Sequence, residues 1–184
     1  MMRTKEIFTG TLFLLGIVLL SSACNKKDDG IKLDFNITVP SEWTYYPLET
    51  ENMVYYAQSP KEYDTDSILE DLLITEDYVG TASLTSFYAA VLDEMEKDTS
   101  YEEISSVQDT INGETCMKLT HLQTLFMIYS ATKDTMNVYT KDIKYVFVKN
   151  YNGYVLSFSA LETTFDDYVP VFDDIINSFT FKAQ

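Results

Sequence analysis

The chain has 184 residues, and its 13 basic side chains face 29 acidic ones, a formal net charge of −16 at pH 7. Phosphate backbones are bound through basic patches that displace counterions, so so acidic a surface excludes nucleic acid as a partner. A single histidine, two cysteines and only 6 glycines leave no material for a histidine-rich metal site or for glycine-built phosphate loops.

Arg3 and Lys5 precede an apolar run from Ile7 to Leu20, and the small residues Ser21, Ser22 and Ala23 follow. The run falls short of the ~20 apolar residues that cross a bilayer and gives way at once to a cleavage-type sequence. Leu20-Ser21-Ser22-Ala23-Cys24 resembles the lipobox of lipoprotein precursors, with Ser21 standing where leucine is usual. The expectation is a signal peptide over residues 1–23 and a lipidated Cys24 whose acyl chains, at ~0.8 kcal/mol per buried methylene, hold the protein on a membrane. Residues 24–30 then form a charged tether with nothing apolar to bury. Its Lys27-Asp28-Asp29 looks like the surface-export signal of lipoproteins from Bacteroidetes-type bacteria. The cell envelope, as an outer-membrane lipoprotein, is the expected location, and the tether fits display on the cell surface. The remainder, residues 31–184, is expected to be one domain. Without Arg3, Lys5 and Glu6 the processed chain would carry 11 basic and 28 acidic groups, a net of −17, leaving membrane attachment to the acyl chains alone. With Cys24 spent on lipid, Cys116 has no partner for a disulfide within the chain, so the apolar core must supply stability.

Strand signals dominate from there. Ile31, Leu33, Phe35, Ile37 and Val39 alternate with polar residues up to Pro40, which predicts a first strand with one buried face. Trp43 and Tyr45 follow as core-rim aromatics. Met53 to Gln58 and Leu69 to Thr75 read as two further strands around an acidic loop. The period then changes: Leu84, Phe87, Tyr88, Val91, Leu92 and Met95 fall at helical spacing behind Ser83, a suitable N-cap. Asn112-Gly113 and Asn152-Gly153 each lie between strand-like runs and predict two hairpin turns, since both residue types accept positive φ. Around the second, Ile143, Tyr145 and Phe147 alternate before the turn and Tyr154, Leu156 and Phe158 after it. Between the hairpins, Gln123 to Asp142 reads as a long connection whose Leu125, Phe126, Ile128 and Tyr129 fit either a strand extension or a helical turn. Phe165, Tyr168, Val169, Phe172, Ile175, Ile176 and Phe179 trace a last helical stripe that Pro170 should start or kink. The order predicts an α+β domain, an antiparallel β-sheet flanked by helices.

Chemical motifs are scarce. Cys116 and His121 lie five residues apart on one predicted strand, so they point to opposite faces and form no dyad. There is no Gly-x-Ser-x-Gly elbow, phosphate loop or dinucleotide fingerprint, and no cofactor or catalytic residue is expected. Asp64, Asp66 and Glu70 are a weak candidate for a hard cation, lacking the glycine and ligand spacing of a calcium loop. Tyr45, Tyr46, Tyr55, Tyr56 and Tyr63 crowd one region and, with Trp43, are weak binding candidates, because tyrosine offers amphipathic contact area at low entropic cost. Strands favour tyrosine anyway.

Phe35-Asn36-Ile37-Thr38-Val39-Pro40-Ser41-Glu42-Trp43, the Ile111-Asn112-Gly113-Glu114 turn, and Phe165-Asp166-Asp167-Tyr168 through Phe172-Asp173-Asp174-Ile175-Ile176-Asn177-Ser178-Phe179 resemble the PsbP-like superfamily, which also takes in a Ran-binding nuclear import factor and many bacterial lipoproteins. The likeness covers most of residues 31–182. It implies an α-β-α sandwich and a non-catalytic assembly, stabilising or adaptor role. The extra length between Leu122 and Ile143 departs from the family pattern. The expected function is thus a lipid-anchored, non-catalytic binding or adaptor protein with an envelope protein as partner. The alternative is a hydrolase or metal-dependent enzyme acting on an envelope or dietary polymer, which requires buried carboxylates across a deep pocket.

Overall fold

The computed structural model describes residues 33–46, 52–61, 68–128 and 135–183. The expected signal peptide, Cys24 and the expected tether lie outside the described residues, as do Tyr63, Asp64 and Asp66. In chain order the elements are β1 (Phe35–Asn36), β2 (Thr44–Tyr45), β3 (Met53–Gln58), β4 (Asp71–Tyr78), α1 (Leu84–Met95), β5 (Tyr101–Ile111), β6 (Glu114–Ile128), β7 (Thr135–Lys149), β8 (Asn152–Leu161), α2 (Phe165–Ser178) and β9 (Thr180–Phe181). Seven strands form one antiparallel sheet in the order β2-β3-β4-β8-β7-β6-β5, and β1 pairs separately with β9. Among the described residues no helix is long and apolar enough to cross a membrane.

The period-2 alternation of the central strands assigns their faces. Ile143, Tyr145, Phe147, Tyr154, Leu156 and Phe158 are buried together with Phe165, Phe172, Ile175 and Ile176 of α2, and Phe35 and Phe179 join this main core. Phe158 and Phe172 meet with ring centroids 4.9 Å apart. On the opposite face Leu119 and Val146 receive Tyr88, with Leu84, Phe87, Val91, Leu92 and Met95 of α1 around it. The Ser83 hydroxyl accepts the Ser86 amide at 3.2 Å and caps α1, satisfying one of the amides that every helix start leaves unpaired. The predicted α+β sandwich, with a helix on either side of an antiparallel sheet, is the architecture observed.

Four local expectations are corrected. The first strand is two residues long, because the alternation from Leu33 to Val39 packs on the main core beside α2 and not in the large sheet. The Thr38 amide there donates to the Ser178 hydroxyl at 2.8 Å in place of a ladder partner. The described residues of the stretch from Gln123 to Asp142, 123–128 and 135–142, form no loose connection: β6 and β7 pair from Met117 with Val146 out to Ile128 with Thr135, so this length extends a hairpin. Of the two roles expected for Pro170, starting α2 is ruled out, since the helix begins five residues earlier and Pro170 sits inside it. The second hairpin turns at Asn150 and Tyr151, with φ of 51° and 69°, and Asn152 already pairs with Lys149. The first turn stands as expected at Asn112 and Gly113, with φ of 51° and 85°, and the two side-chain N–H groups of Asn112 reach the carbonyls of Asn177 and Phe179 at 2.9 and 2.8 Å.

Gly153 therefore serves another purpose than a turn. A Cβ at this position would lie 2.4 Å from the Phe87 ring, so the bare backbone is what lets α1 sit against β8. Gly153→Ala is expected to cost about 1–3 kcal/mol, the range for overpacking a filled site. In the Phe87→Ala background the same change should be close to neutral, and urea midpoints of the four proteins test this. An equal cost in both backgrounds would locate the strain elsewhere.

Candidate functional site

The tyrosine-rich region forms the β2–β3 edge of the sheet. Tyr45 and Tyr55 lie on the α2 side with ring centroids 5.0 Å apart, and Tyr46 and Tyr56 on the α1 side at 5.8 Å. Tyr45 is 40% exposed, whereas Trp43 is buried in the main core. Glu70 is buried and accepts the Ser59 hydroxyl, so its oxygen is engaged inside the protein. Among the described residues no group of three or more His, Cys, Asp or Glu side chains is placed to hold a metal ion. Cys116 lies in the main core and its thiol is pushed up to about 12 by burial, while His121 faces the α1 side, so the two are separated by the sheet.

The α1 face holds a second feature. Helix α1 covers only part of the sheet, and beyond its last turn the register brings polar residues from four strands into one row. Asp71 of β4 lies opposite Ser159 of β8, Ser159 opposite Asp142 of β7, and Asp142 opposite His121 of β6. His121 Nε2 is 3.0 Å from Asp142 Oδ2, with side-chain exposures of 2% and 7%. The Ser159 hydroxyl donates to Asp142 Oδ1 at 2.6 Å. One row along, Lys144 Nζ donates to Ser157 Oγ at 3.0 Å. The Tyr56 hydroxyl donates to Asp71 at 3.4 Å and so joins this row to the tyrosine edge.

Burial sets the electrostatics of the row. Burial alone would raise the Asp142 carboxyl, but hydrogen bonds from His121 and Ser159 and the charge of Lys144 outweigh it and hold the group below its usual value. Lys144 is lowered by burial against the pull of Asp142 and then Asp71. Asp71 is pushed up to about 7 by burial and by the negative charge of Asp142. Asp142 and Lys144 each favour the charged form of the other, and Asp71 is the carboxyl pushed toward its neutral form, as expected where charges share a poorly solvated site.

A hollow of about 130 Å³ opens at the end of this row, lined by Met95, Asp98, Tyr101, His121, Gln123 and Lys144. The Tyr101 and His121 rings meet there with centroids 5.1 Å apart. Asp71 and Asp142 do not face each other across it: both rise from the same sheet face, with Ser159 between them. A larger hollow, about 420 Å³, lies between the segment after β1 and helix α2, lined by Thr38, Val39, Pro40, Val171, Asp174, Ile175 and Ser178.

The sequence drew attention to His121 only as a partner for Cys116, and it did not bring the α1-face row together. Its members are scattered from Asp71 to Ser159, and each reads alone as the polar side of an alternating strand. The available signal was the wrong kind of neighbour: Val146 and Val155 are apolar on the same face, so polar residues two positions away were under cover too.

Layers, strand order and the two helices together define a PsbP-like fold, and the chain has that fold. It is similar to cyanobacterial PsbP (CyanoP) from Synechocystis sp. PCC 6803, with a TM-score of 0.54, 15% identity and coverage of 87% of this chain and 98% of that one. LpqN of Mycobacterium tuberculosis, a protein involved in cell envelope biogenesis, gives a TM-score of 0.55 at 13% identity, over 81% of this chain and 83% of its own. PA94 of Pseudomonas aeruginosa, a protein of unknown function, gives 0.57 at 10% identity, over 78% and 99%. No family model matches the chain, and no curated protein matches it. At these identities the likeness concerns the fold alone.

Proposed function

We propose that this chain is a lipid-anchored protein of the bacterial cell envelope that acts by binding and not by catalysis, as an adaptor or assembly factor for another envelope protein. The observation that carries the reading is the β2–β3 edge, where two tilted tyrosine pairs cover both faces of the sheet margin and Tyr45 is 40% exposed. Aromatic groups with a polar tip at a surface edge suit protein recognition. The neighbouring charges engage one another, since both oxygens of Asp142 are occupied. A hydrolase would instead direct free carboxylates into a deep pocket.

Affinity capture from crosslinked cell envelopes tests the proposal. The wild type should retain a stoichiometric protein partner, and Tyr45→Ala should lose at least most of it while remaining folded and membrane-bound. Failure of the wild type to retain any partner would defeat the adaptor reading.

A further inference from the structure

Among the described residues three buried side-chain polar atoms have no hydrogen-bond partner: the Tyr101 hydroxyl, His121 Nδ1 and the Thr140 hydroxyl. Buried polar groups are almost always paired, so each exception calls for an explanation. These three fall in one place. Tyr101 lies opposite Gln123, Gln123 opposite Thr140, and His121 is two residues before Gln123 on the same face of β6. Tyr101, His121 and Gln123 line the 130 Å³ hollow, and Thr140 is beside it. His121 is 2% exposed and its Nε2 is spent on Asp142, which leaves Nδ1 as the ring nitrogen available to whatever enters.

We propose that this hollow is a binding site for a neutral sugar, and that the three unpartnered atoms take its hydroxyl groups. The reading is independent of the tyrosine edge, which lies at the opposite end of the strand order. The lining carries one carboxylate, Asp98, and one ammonium, Lys144, so neither an anion nor a cation gains from entering. A hydroxyl both donates and accepts, so it can pair with the Tyr101 and Thr140 hydroxyls and with Nδ1 in either role. The rings of Tyr101 and His121 and the thioether chain of Met95 offer apolar surface to the C–H face of a sugar ring. With a water's share of liquid volume near ~30 Å³, the hollow admits part of one ring, so the ligand is a free monosaccharide or the end residue of a glycan.

Calorimetric titration of the full-length protein in detergent tests this, using glucose, galactose and N-acetylglucosamine, their disaccharides, and glucuronate and glucosamine as charged controls. A neutral sugar should bind and both charged controls should bind at least tenfold more weakly. Equal affinity for mono- and disaccharide would assign a free sugar, and tighter disaccharide binding a glycan end. Tyr101→Phe removes one unpartnered hydroxyl, and Thr140→Val replaces the other with a methyl group of similar size. Each should weaken binding at least tenfold while leaving the Tm of the unliganded protein unchanged or a few degrees higher, a combination that a structural role would not give. Absence of binding by every neutral sugar, or affinity untouched by both variants, overturns the proposal. So does a fall in Tm in both variants, which would mean that the hydroxyls serve the fold.

Discussion

Asp142→Leu is expected to destabilise the protein by about 3–5 kcal/mol, the range for removing one partner of a buried charged pair. The loss has three parts. His121 Nε2, 3.0 Å from the carboxylate, loses its acceptor, and so does the Ser159 hydroxyl at 2.6 Å. Lys144 loses the larger of the two negative charges that offset its burial. Because the uncompensated ammonium is a main source of the cost, adding Lys144→Met should restore a good part of the stability, as when a buried ion pair is replaced as a unit by apolar side chains. Urea denaturation of the two single variants and the double variant gives the coupling directly. A cost below about 1 kcal/mol for Asp142→Leu would mean that water reaches these charges and that the pair behaves as a surface one.

Asp71→Asn should stabilise the protein, and only above acidic pH. Burial and the charge of Asp142 raise this carboxyl from 3.8 to about 7. Below about pH 4 it is protonated in both folded and unfolded chains, so ionisation costs the fold nothing. Between about 4 and 7 the unfolded chain gives up the proton and the folded one keeps it, and each pH unit lowers the stability of the wild type by about 1.4 kcal/mol. Asparagine has no such proton, so its advantage should grow from near zero at pH 4 to on the order of a few kcal/mol at pH 8. Urea midpoints at the two pH values decide it. A variant less stable than wild type at pH 8 would show that the fold depends on ionised Asp71. The advantage should shrink in the Asp142→Leu background, where the repelling charge is gone.

Both predictions concern residues whose meeting depends on register, which limits what the sequence makes visible. The helices were legible because each carries a continuous stripe at one period: every apolar residue named for α1 packs on its face of the sheet, and Phe165, Phe172, Ile175 and Ile176 of α2 are buried. The Asn112-Gly113 turn was legible because the two residues that need positive φ are of the types that accept it. The second turn was not, because Tyr151 takes φ of 69° while the nearby glycine is used against Phe87. The β6–β7 extension was ambiguous because its side chains mix aromatic, apolar and polar residues without a clean period. The row from Asp71 to His121 was hidden for a different reason. Polar residues on alternate strand positions read as the solvated face, and only pairing across β4, β8, β7 and β6 shows four such faces stacked edge to edge under cover. The tyrosine cluster was visible as composition, but its division between two faces, and the burial of Trp43 beside it, required the strands to be placed.

The Asn112 amide has a further consequence, for the ageing of the molecule. Asn-Gly is the dipeptide most prone to spontaneous deamidation, through attack of the glycine nitrogen on the side-chain carbonyl. Here both amide hydrogens are held by the carbonyls of Asn177 and Phe179, and the turn is clamped between long strands, so the folded domain shields this one of its two Asn-Gly sites. Once the chemistry occurs, in an unfolded excursion, a carboxylate would face two carbonyl oxygens, and the hairpin would push away the end of α2 that it had held. Damage at this one position would thus convert a latch between two distant segments into a repulsion and mark old molecules for unfolding.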